Sequence, residues 1–524
     1  MQKTNEEHDG WNEYAHKKIY TPRGKIGILR STGFGMYGFI GSAVGLICYN
    51  YISYFYTYFC GLTPIEVAFM LIFGRVLASG VALWIGHFSD SLYKFKFGRK
   101  YGRRHFFILM TIPFFVYATL IPITGLNFWY YFITYSVLLA FFNTIHLPWT
   151  TLPADMTDSF KVRTIMGTVR AVVGALLNTI AAFVVAQVLN SWPKNDPNIY
   201  WYLQIGLSAV GIVFALITYY TTWEHFVTKN EAALMDAEHK QGENISATRW
   251  IRFKETARDY LSIFKIKSFR KHLFIDGADQ MAGNLNGLIL TYFIVNVLGL
   301  NASVTAYLSS LSTFIGIFVM IAAGYVINKY APRYMYGVAY GMALISCVGF
   351  GLLGFIKPDH LVMWLLIVQM FSIFGGQLYG FIPATVFPSL PVLDTLLTGQ
   401  NRAGTFSSLA GLFEQGGFVI TNILGQGLLQ LAGFKSSTTG AVTQSPAVQL
   451  TLTLLISVGV GFFFLVAMYN GLSFKADKPK LDLINEEVTR LKAGGKMSEA
   501  SEEVKSVTKE LTGENYDSIA VWDK

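Results

Sequence analysis

Four ionisable side chains stand inside apolar runs of this 524-residue chain, and their chemistry frames its function. Arg75 lies in LIFGRVLASGVALWIGHFSD, His146 in FFNTIHLPW, Arg170 in GTVRAVVGALL and Glu414 in SSLAGLFEQGG. A guanidinium fork binds carboxylates through two parallel hydrogen bonds. Histidine exchanges a proton near neutral pH, and burial tunes a glutamate toward the same range. Gln377 and the neighbouring Gln415 add amides that could bind a polar solute or tie one helix to another. A charge deep in a bilayer costs about 2.5–3.5 kcal/mol on insertion scales, so it normally faces a cavity or a partner. Two readings therefore stand for each group: a binding or proton-carrying role, or a buried pair that staples helices.

The elements that hold these groups are membrane spans. Hydrophobic residues make up 52% of the chain and charged residues 14%, against about 25% charged in soluble domains. The apolar residues fall in blocks of about 20, enough to cross a bilayer. About twelve spans are expected, near 32–59, 65–90, 105–124, 128–152, 164–189, 200–223, 273–297, 302–327, 334–356, 361–387, 402–432 and 447–474. Basic residues crowd alternate loops: Lys17, Lys18, Arg23, Lys25 and Arg30, then Lys94 to Arg104, then Lys161 and Arg163, then the central loop, then Lys329 and Arg333. The opposite loops hold only Lys194, Lys357 and Lys435. The positive-inside rule places both termini in the cytoplasm. The net charge of +9 is thus a topology signal, not a nucleic-acid footprint. The polar start MQKTNEEHDGWNEY is not a cleavable signal peptide. Cys48, Cys60 and Cys347 fit no disulfide or metal spacing, and no cofactor or metal is expected. Neither a phosphate-binding glycine loop nor a nucleophile–base pair is evident, which argues against an enzyme.

The organisation follows: a cytoplasmic tail over 1–31, a six-helix half over 32–223, a cytoplasmic loop over 224–272, a second six-helix half over 273–474 and a cytoplasmic tail over 475–524. Gly86-x-x-x-Asp90 closes the second span, and Gly324-x-x-x-Asn328 closes the eighth. An all-α protein with paired six-helix halves has the layout of the major facilitator fold. Asp90, Arg103 and Arg104 are expected to form a gate latch at the cytoplasmic mouth. Asp276 and Asp279 read as acids at a helix start, where they are favoured by the helix dipole. The tyrosines of the first span read as an interfacial belt or, for Tyr49 with Trp149, as a stacking platform for sugar rings. The central stretch WIRFKETARDYLSIFKIKSFRKHLF suits a surface helix. Leu481, Ile484, Val488 and Leu491 predict a short amphipathic helix in a solvated tail.

Three stretches together resemble one family. They are Gly33-Phe34-Gly35 with Arg75 and the basic loop, NTIHLPWTTLPADMTDSFKVRTIMGTVRAVVG over 143–174, and LDTLLTGQNRAGTFSSLAGLFEQGG over 393–417. Their order and spacing are similar to those of the glycoside–pentoside–hexuronide:cation symporters, the melibiose permease group, over roughly residues 30–474. The resemblance implies secondary transport of a sugar or glycoside coupled to Na⁺ or H⁺. It implies that Arg170 reaches the substrate and that Trp149 and Thr150 lie beside the family's aromatic sugar contact. It implies a bacterial inner membrane.

Departures from that pattern are informative. The family's two cation-binding aspartates fall on Ala78 and Ala82, a third carboxylate on His146, the sugar-binding acid of the first span on Ile40, and the membrane lysine of the eleventh on Gln415. A dehydrated Na⁺ needs hard oxygen ligands, which alanine lacks. The expectation is H⁺ coupling through His146 or Glu414, with Arg75 and Arg170 open to an anionic, hexuronide-type substrate. An uncoupled sugar facilitator, a carrier of lysolipid-like amphiphiles and a transport-dead membrane sensor are the alternatives.

Overall fold

Each apolar block folds as helix, because a bilayer forces the backbone to satisfy its hydrogen bonds within the segment. The structure, a computed structural model, describes residues 11–22, 24–45, 50–193, 195–233, 258–327 and 329–522. All regular structure among them is helical. Among the described residues the first span comprises Ile28–Met36, Phe39–Gly45 and Ile52–Tyr58, and the third His105–Leu109 and Thr111–Ala118. The second is Pro64–Ser91, the fourth Phe128–Met156, the fifth Phe160–Ser191 and the sixth Asn198–Thr221. The seventh to eleventh are Lys267–Asn296, Ser303–Val326, Pro332–Ile356, Leu361–Val386 and Ala403–Leu431. The twelfth runs through Pro446–Leu454 and Val460–Leu472, joined by a π-turn at Leu455–Gly459.

Local chemistry explains several boundaries. Thr63 and Glu66 form a reciprocal capping box, with Pro64 at the first helical position, a strong start signal. The third span breaks after Leu109, whose carbonyl is the one Pro113 cannot bond. Among the described residues eight helices are long and apolar enough by themselves to cross a membrane. The seventh and eleventh are not among them: Asp276, Asp279, Gln280 and Asn284 dilute the one, Glu414, Gln415, Asn422 and Gln426 the other. Polar spans of this kind belong inside a bundle.

Contacts divide the chain into two compact units. The first holds Met1–Ser246, Leu300–Phe314 and Gly433–Gln444; the second holds Ala247–Gly299, Ile315–Ala432 and Ser445–Lys524. Within the first, the first span packs on the fifth and the second on the fourth. The 433–444 loop lies against the end of the first span: Ser437 N donates to Thr57 O at 2.9 Å and Gly440 N to Tyr58 O at 2.8 Å. Tyr51, Tyr54, Tyr56 and Tyr58 are all buried. The interfacial-belt expectation is therefore corrected. These rings fill the core: Tyr56 meets Tyr131 at 5.1 Å, and the Tyr58 hydroxyl accepts from Gln444 Nε2 at 3.0 Å. Tyr49 and the 250–257 part of the expected surface helix lie outside the described residues.

Within the second unit, the seventh span packs on the eleventh and twelfth, and the ninth on the tenth. The tail is a docked module rather than a solvated strand of chain, which corrects the sequence expectation. Lys478–Lys492 is the expected helix, and its Leu481, Ile484, Val488 and Leu491 are buried. A second helix, Glu502–Thr512, buries Val504 and Leu511. Trp522 Nε1 donates to Leu396 O at 2.7 Å, and Ser268 Oγ donates to Leu511 O at 2.7 Å.

Candidate functional site

Arg170 sits eleven residues into the fifth span, half-buried, with its guanidinium carbon 4.9 Å over the Trp149 ring. That contact is a cation–π pair. The first span makes room for it through glycine. A side chain at Gly35 would come within 3.0 Å of the Arg170 Cα, and Gly38 faces Trp149 and Gly174. Trp149 is 3% exposed and donates from Nε1 to Phe34 O at 3.3 Å. Phe34 and Tyr37 pack on it at 5.2 and 5.1 Å. Its indole is thus committed as the platform beneath Arg170. His146 stacks on Phe142 at 5.1 Å and meets Trp149 at 5.4 Å. Pro148 and Pro153 lie inside this helix, and each removes a backbone donor beside these rings. Thr150 Oγ donates to Leu147 O at 2.7 Å, within its own helix. Arg170, Trp149 and His146 are therefore brought together.

Arg75 is half-buried on the second span, where Ser79 Oγ donates to its carbonyl at 2.9 Å. One turn on, Ala78 is buried, and its carbonyl accepts from Asn143 Nδ2 of the fourth span at 2.9 Å. A neutral amide thus joins these two spans. In the second unit, Gln377 packs over Gly316, which has no side chain to obstruct it. Glu414 and Gln415 are half-buried on the eleventh span. Asp279 of the seventh span is buried, not at a solvated mouth, because its helix begins at Lys267 rather than near 273.

Asp90, Arg103 and Arg104, the residues expected to form a latch, lie together in the first unit, with partners the sequence reading missed. Arg104 reaches Asp90 at 3.9 Å, but Asp90 is largely exposed. The closer partner is Asp155, half-buried, which meets Arg103 at 2.9 Å and Arg104 at 3.1 Å. Arg104 also donates to Thr151 O. Behind them Glu224 is buried. It accepts from the backbone N–H groups of Arg103, Arg104 and His105 at 2.6, 2.9 and 2.9 Å, and from His105 Nδ1 at 3.2 Å. Burial pushes the Glu224 carboxyl up, but the His105 side chain and the backbone donors outweigh it and hold the group below its ordinary range. In the second unit, Arg402 grips Asp394 through Nε at 3.0 Å and Nη2 at 2.6 Å, and also bonds Asp259 and Ser262 at 3.0 Å. The hydrogen bonds it donates to Asp394 raise the Arg402 pKa.

Residues 32–477 match the family described as MFS/sugar transport protein. The chain belongs to that family. Solved transporters share its fold. A bacterial homolog of the human lysosomal transporter Spinster is 14% identical, with a TM-score of 0.55, covering 86% of this chain and 98% of that one. A nucleoside transporter is 11% identical, with a TM-score of 0.56, covering 84% and 99%. A D-xylose–proton symporter is 13% identical, with a TM-score of 0.53, covering 85% and 94%. No curated protein sequence matches the chain. The polypeptide is a multi-pass membrane transporter of the major facilitator fold. In this family member the sequence signals for Asp155 and Glu224 were slight. Both are acids at span ends, where charge is ordinary, and burial alone marks them out.

Proposed function

We propose that this transporter carries a sugar or glycoside by alternating access, in the manner of the glycoside–pentoside–hexuronide:cation symporters. Its substrate is an anionic, hexuronide-type oligosaccharide, and its coupling ion is H⁺ rather than Na⁺. Arg170, fixed over Trp149, is the observation that carries this reading. A guanidinium clamped against an aromatic face is pre-organised, so less freedom is lost when it takes a carboxylate. Arg75 supplies a second cation for the same substrate, and Thr150, Gln377 and Gln415 the polar contacts to sugar hydroxyls.

Proton coupling is favoured by what replaces the cation site. Ala78 and Ala82 carry no oxygen on their side chains, and the Asn143 amide donates toward the Ala78 backbone, the wrong polarity for Na⁺. His146, within electrostatic reach of Arg170, and Glu414 remain as proton carriers. The six-helix halves over 32–223 and 273–474 rock about the substrate, Asp90, Arg103 and Arg104 latch the cytoplasmic side, and both termini are cytoplasmic in a bacterial inner membrane. Uptake into Na⁺-free proteoliposomes, with neutral glycosides and uronides offered across an imposed pH gradient, tests this. Uronide accumulation that collapses with the gradient supports it. Equilibration without a gradient makes the protein a uniporter.

A second reading has its own observation. A cleft of about 550 Å³ between the ninth and tenth spans is lined by Leu344, Val348, Leu352, Trp364, Val368 and Phe371. Such an apolar slot suits an acyl chain, and transport of a lysophospholipid in the same vesicles would favour the amphiphile carrier.

A further inference from the structure

The loop between the eleventh and twelfth spans, Gly433–Gln444, is fastened first to itself and then to the first span. The Gln444 side chain closes it as a backbone peptide would. Its Oε1 accepts from Lys435 N at 2.9 Å, and its Nε2 donates to Lys435 O at 2.8 Å. Two bonds to one residue hold the ends together, as in a compact Ω-loop. The same Nε2 donates to the Tyr58 hydroxyl at 3.0 Å, so the closure is also an attachment. Phe434, 7% exposed, packs on the Tyr58 ring at 5.4 Å.

What the loop grips is a helix end. Ile52–Tyr58 finishes the first span, and the last carbonyls of a helix have no partner within it. Leu62 N reaches back to Tyr56 O at 3.0 Å. The carbonyls of Thr57 and Tyr58 are met by the loop, through Ser437 N at 2.9 Å and Gly440 N at 2.8 Å. Ser436 Oγ adds a bond to Leu62 O at 2.7 Å. Glycine makes the fit possible. Gly440 has φ 107° and lies so close to Asn195, in the loop between the fifth and sixth spans, that a side chain there would collide with it. Gly61 has φ 73°, and a side chain on it would meet Thr438 at 3.0 Å.

By contact this loop groups with the first unit, yet by chain order it comes from the second six-helix half. Residues 52–62 and Asn195 come from the first. Halves that rock cannot keep these bonds through a whole cycle. The bonds suit release, because each joins neutral groups. Such a bond is worth little net once water can replace it.

We propose that Gly433–Gln444 is a releasable strap: fastened on the end of the first span it seals the face opposite the termini, and it lets go when that face opens. The inference rests on the alternating-access reading above and names the part that gates that face.

Two cysteines test it in a chain whose Cys48, Cys60 and Cys347 are replaced by Ser. Asn195→Cys and Thr439→Cys, both at exposed positions, are joined in proteoliposomes by a short, reducible bis-thiol reagent. Bridging is expected to lower uronide uptake at least about tenfold, and reduction to restore it, with the unbridged variant as reference. A second readout needs no substrate. Thr57→Cys, buried at the gripped helix end, should react slowly with a membrane-impermeant maleimide, and about tenfold faster when Gln444→Leu removes the closure. Trp522→Phe, which breaks a bond of the C-terminal tail to Leu396, should leave that rate unchanged. Full uptake after complete bridging overturns the proposal, and so does an unchanged labelling rate in a folded Gln444→Leu protein. The bridged pair decides the matter if Gln444→Leu does not fold. If no uronide is carried, the sugar reading fails and the labelling rates still decide the strap.

Discussion

Arg170 shows how far a single residue can be read. Its type and depth pointed to a binding role from sequence alone, since an arginine inside an apolar run is too costly to keep without a partner. What the sequence did not disclose was the support. The cation–π contact to Trp149 joins adjacent spans, and the close approach of Gly35 joins helices far apart in the chain. Replacing Arg170 with Ala should raise the half-saturating uronide concentration about 10- to 100-fold, the worth of hydrogen bonds to a charged group, about 1.5–3 kcal/mol. Arg170→Lys should recover little, because an ammonium lacks the two-pronged geometry. Direct binding of a uronide measured by calorimetry checks both. Asp279 was legible as an acid but not as a buried one. The apolar window starts near 273, and only the helix start at Lys267 carries Asp279 inward.

At the scale of elements, the spans were legible because a bilayer permits few alternatives, and their internal breaks follow from Pro113 and from the first span's Tyr37–Gly38 junction. The cytoplasmic connections were not legible. Glu224 looks like any loop acid until the backbone donors of 103–105 are seen to converge on it. Glu224→Ala should destabilise the protein by about 3 kcal/mol, the cost of orphaning a buried charged network. Its pH dependence has a definite sign. The folded-state pKa lies below the ordinary 4.5, so the stabilisation is fully present above that value and fades as pH falls through the lowered one. Thermal unfolding in detergent should show wild-type stability dropping below about pH 4.5 and the Glu224→Gln variant losing less over the same window. The tail gave its helical period in Leu481, Ile484, Val488 and Leu491, but a period does not name the surface that covers it. Here the surfaces are Pro391–Thr398 and the tail's own second helix, Glu502–Thr512. Removing residues 475–524 should lower the unfolding temperature and raise amide exchange in Pro391–Thr398.

For the molecule as a whole, charge distribution and span count led to the fold, while the units found by contact depart from the simple halves. Leu300–Phe314 and Gly433–Gln444 group with the first unit, through bonds such as Tyr51 to Ala302 O at 3.0 Å. No periodicity encodes such a regrouping. Orientation is a prediction at this scale. Single cysteines placed at Lys94 and at Lys475 should react with a membrane-impermeant thiol reagent only from the cytoplasmic face. Those at Lys357 and Lys435 should react only from the opposite one.

The measurement that bears most directly on the account is uronide uptake by wild type and Arg170→Ala in Na⁺-free proteoliposomes under an imposed pH gradient. The account predicts accumulation by the wild type, its collapse when the gradient is dissipated, and, at uronide concentrations near the wild-type half-saturation point, far less by the variant. Equal uptake by the two proteins, or wild-type uptake that needs Na⁺ and ignores the pH gradient, would contradict it.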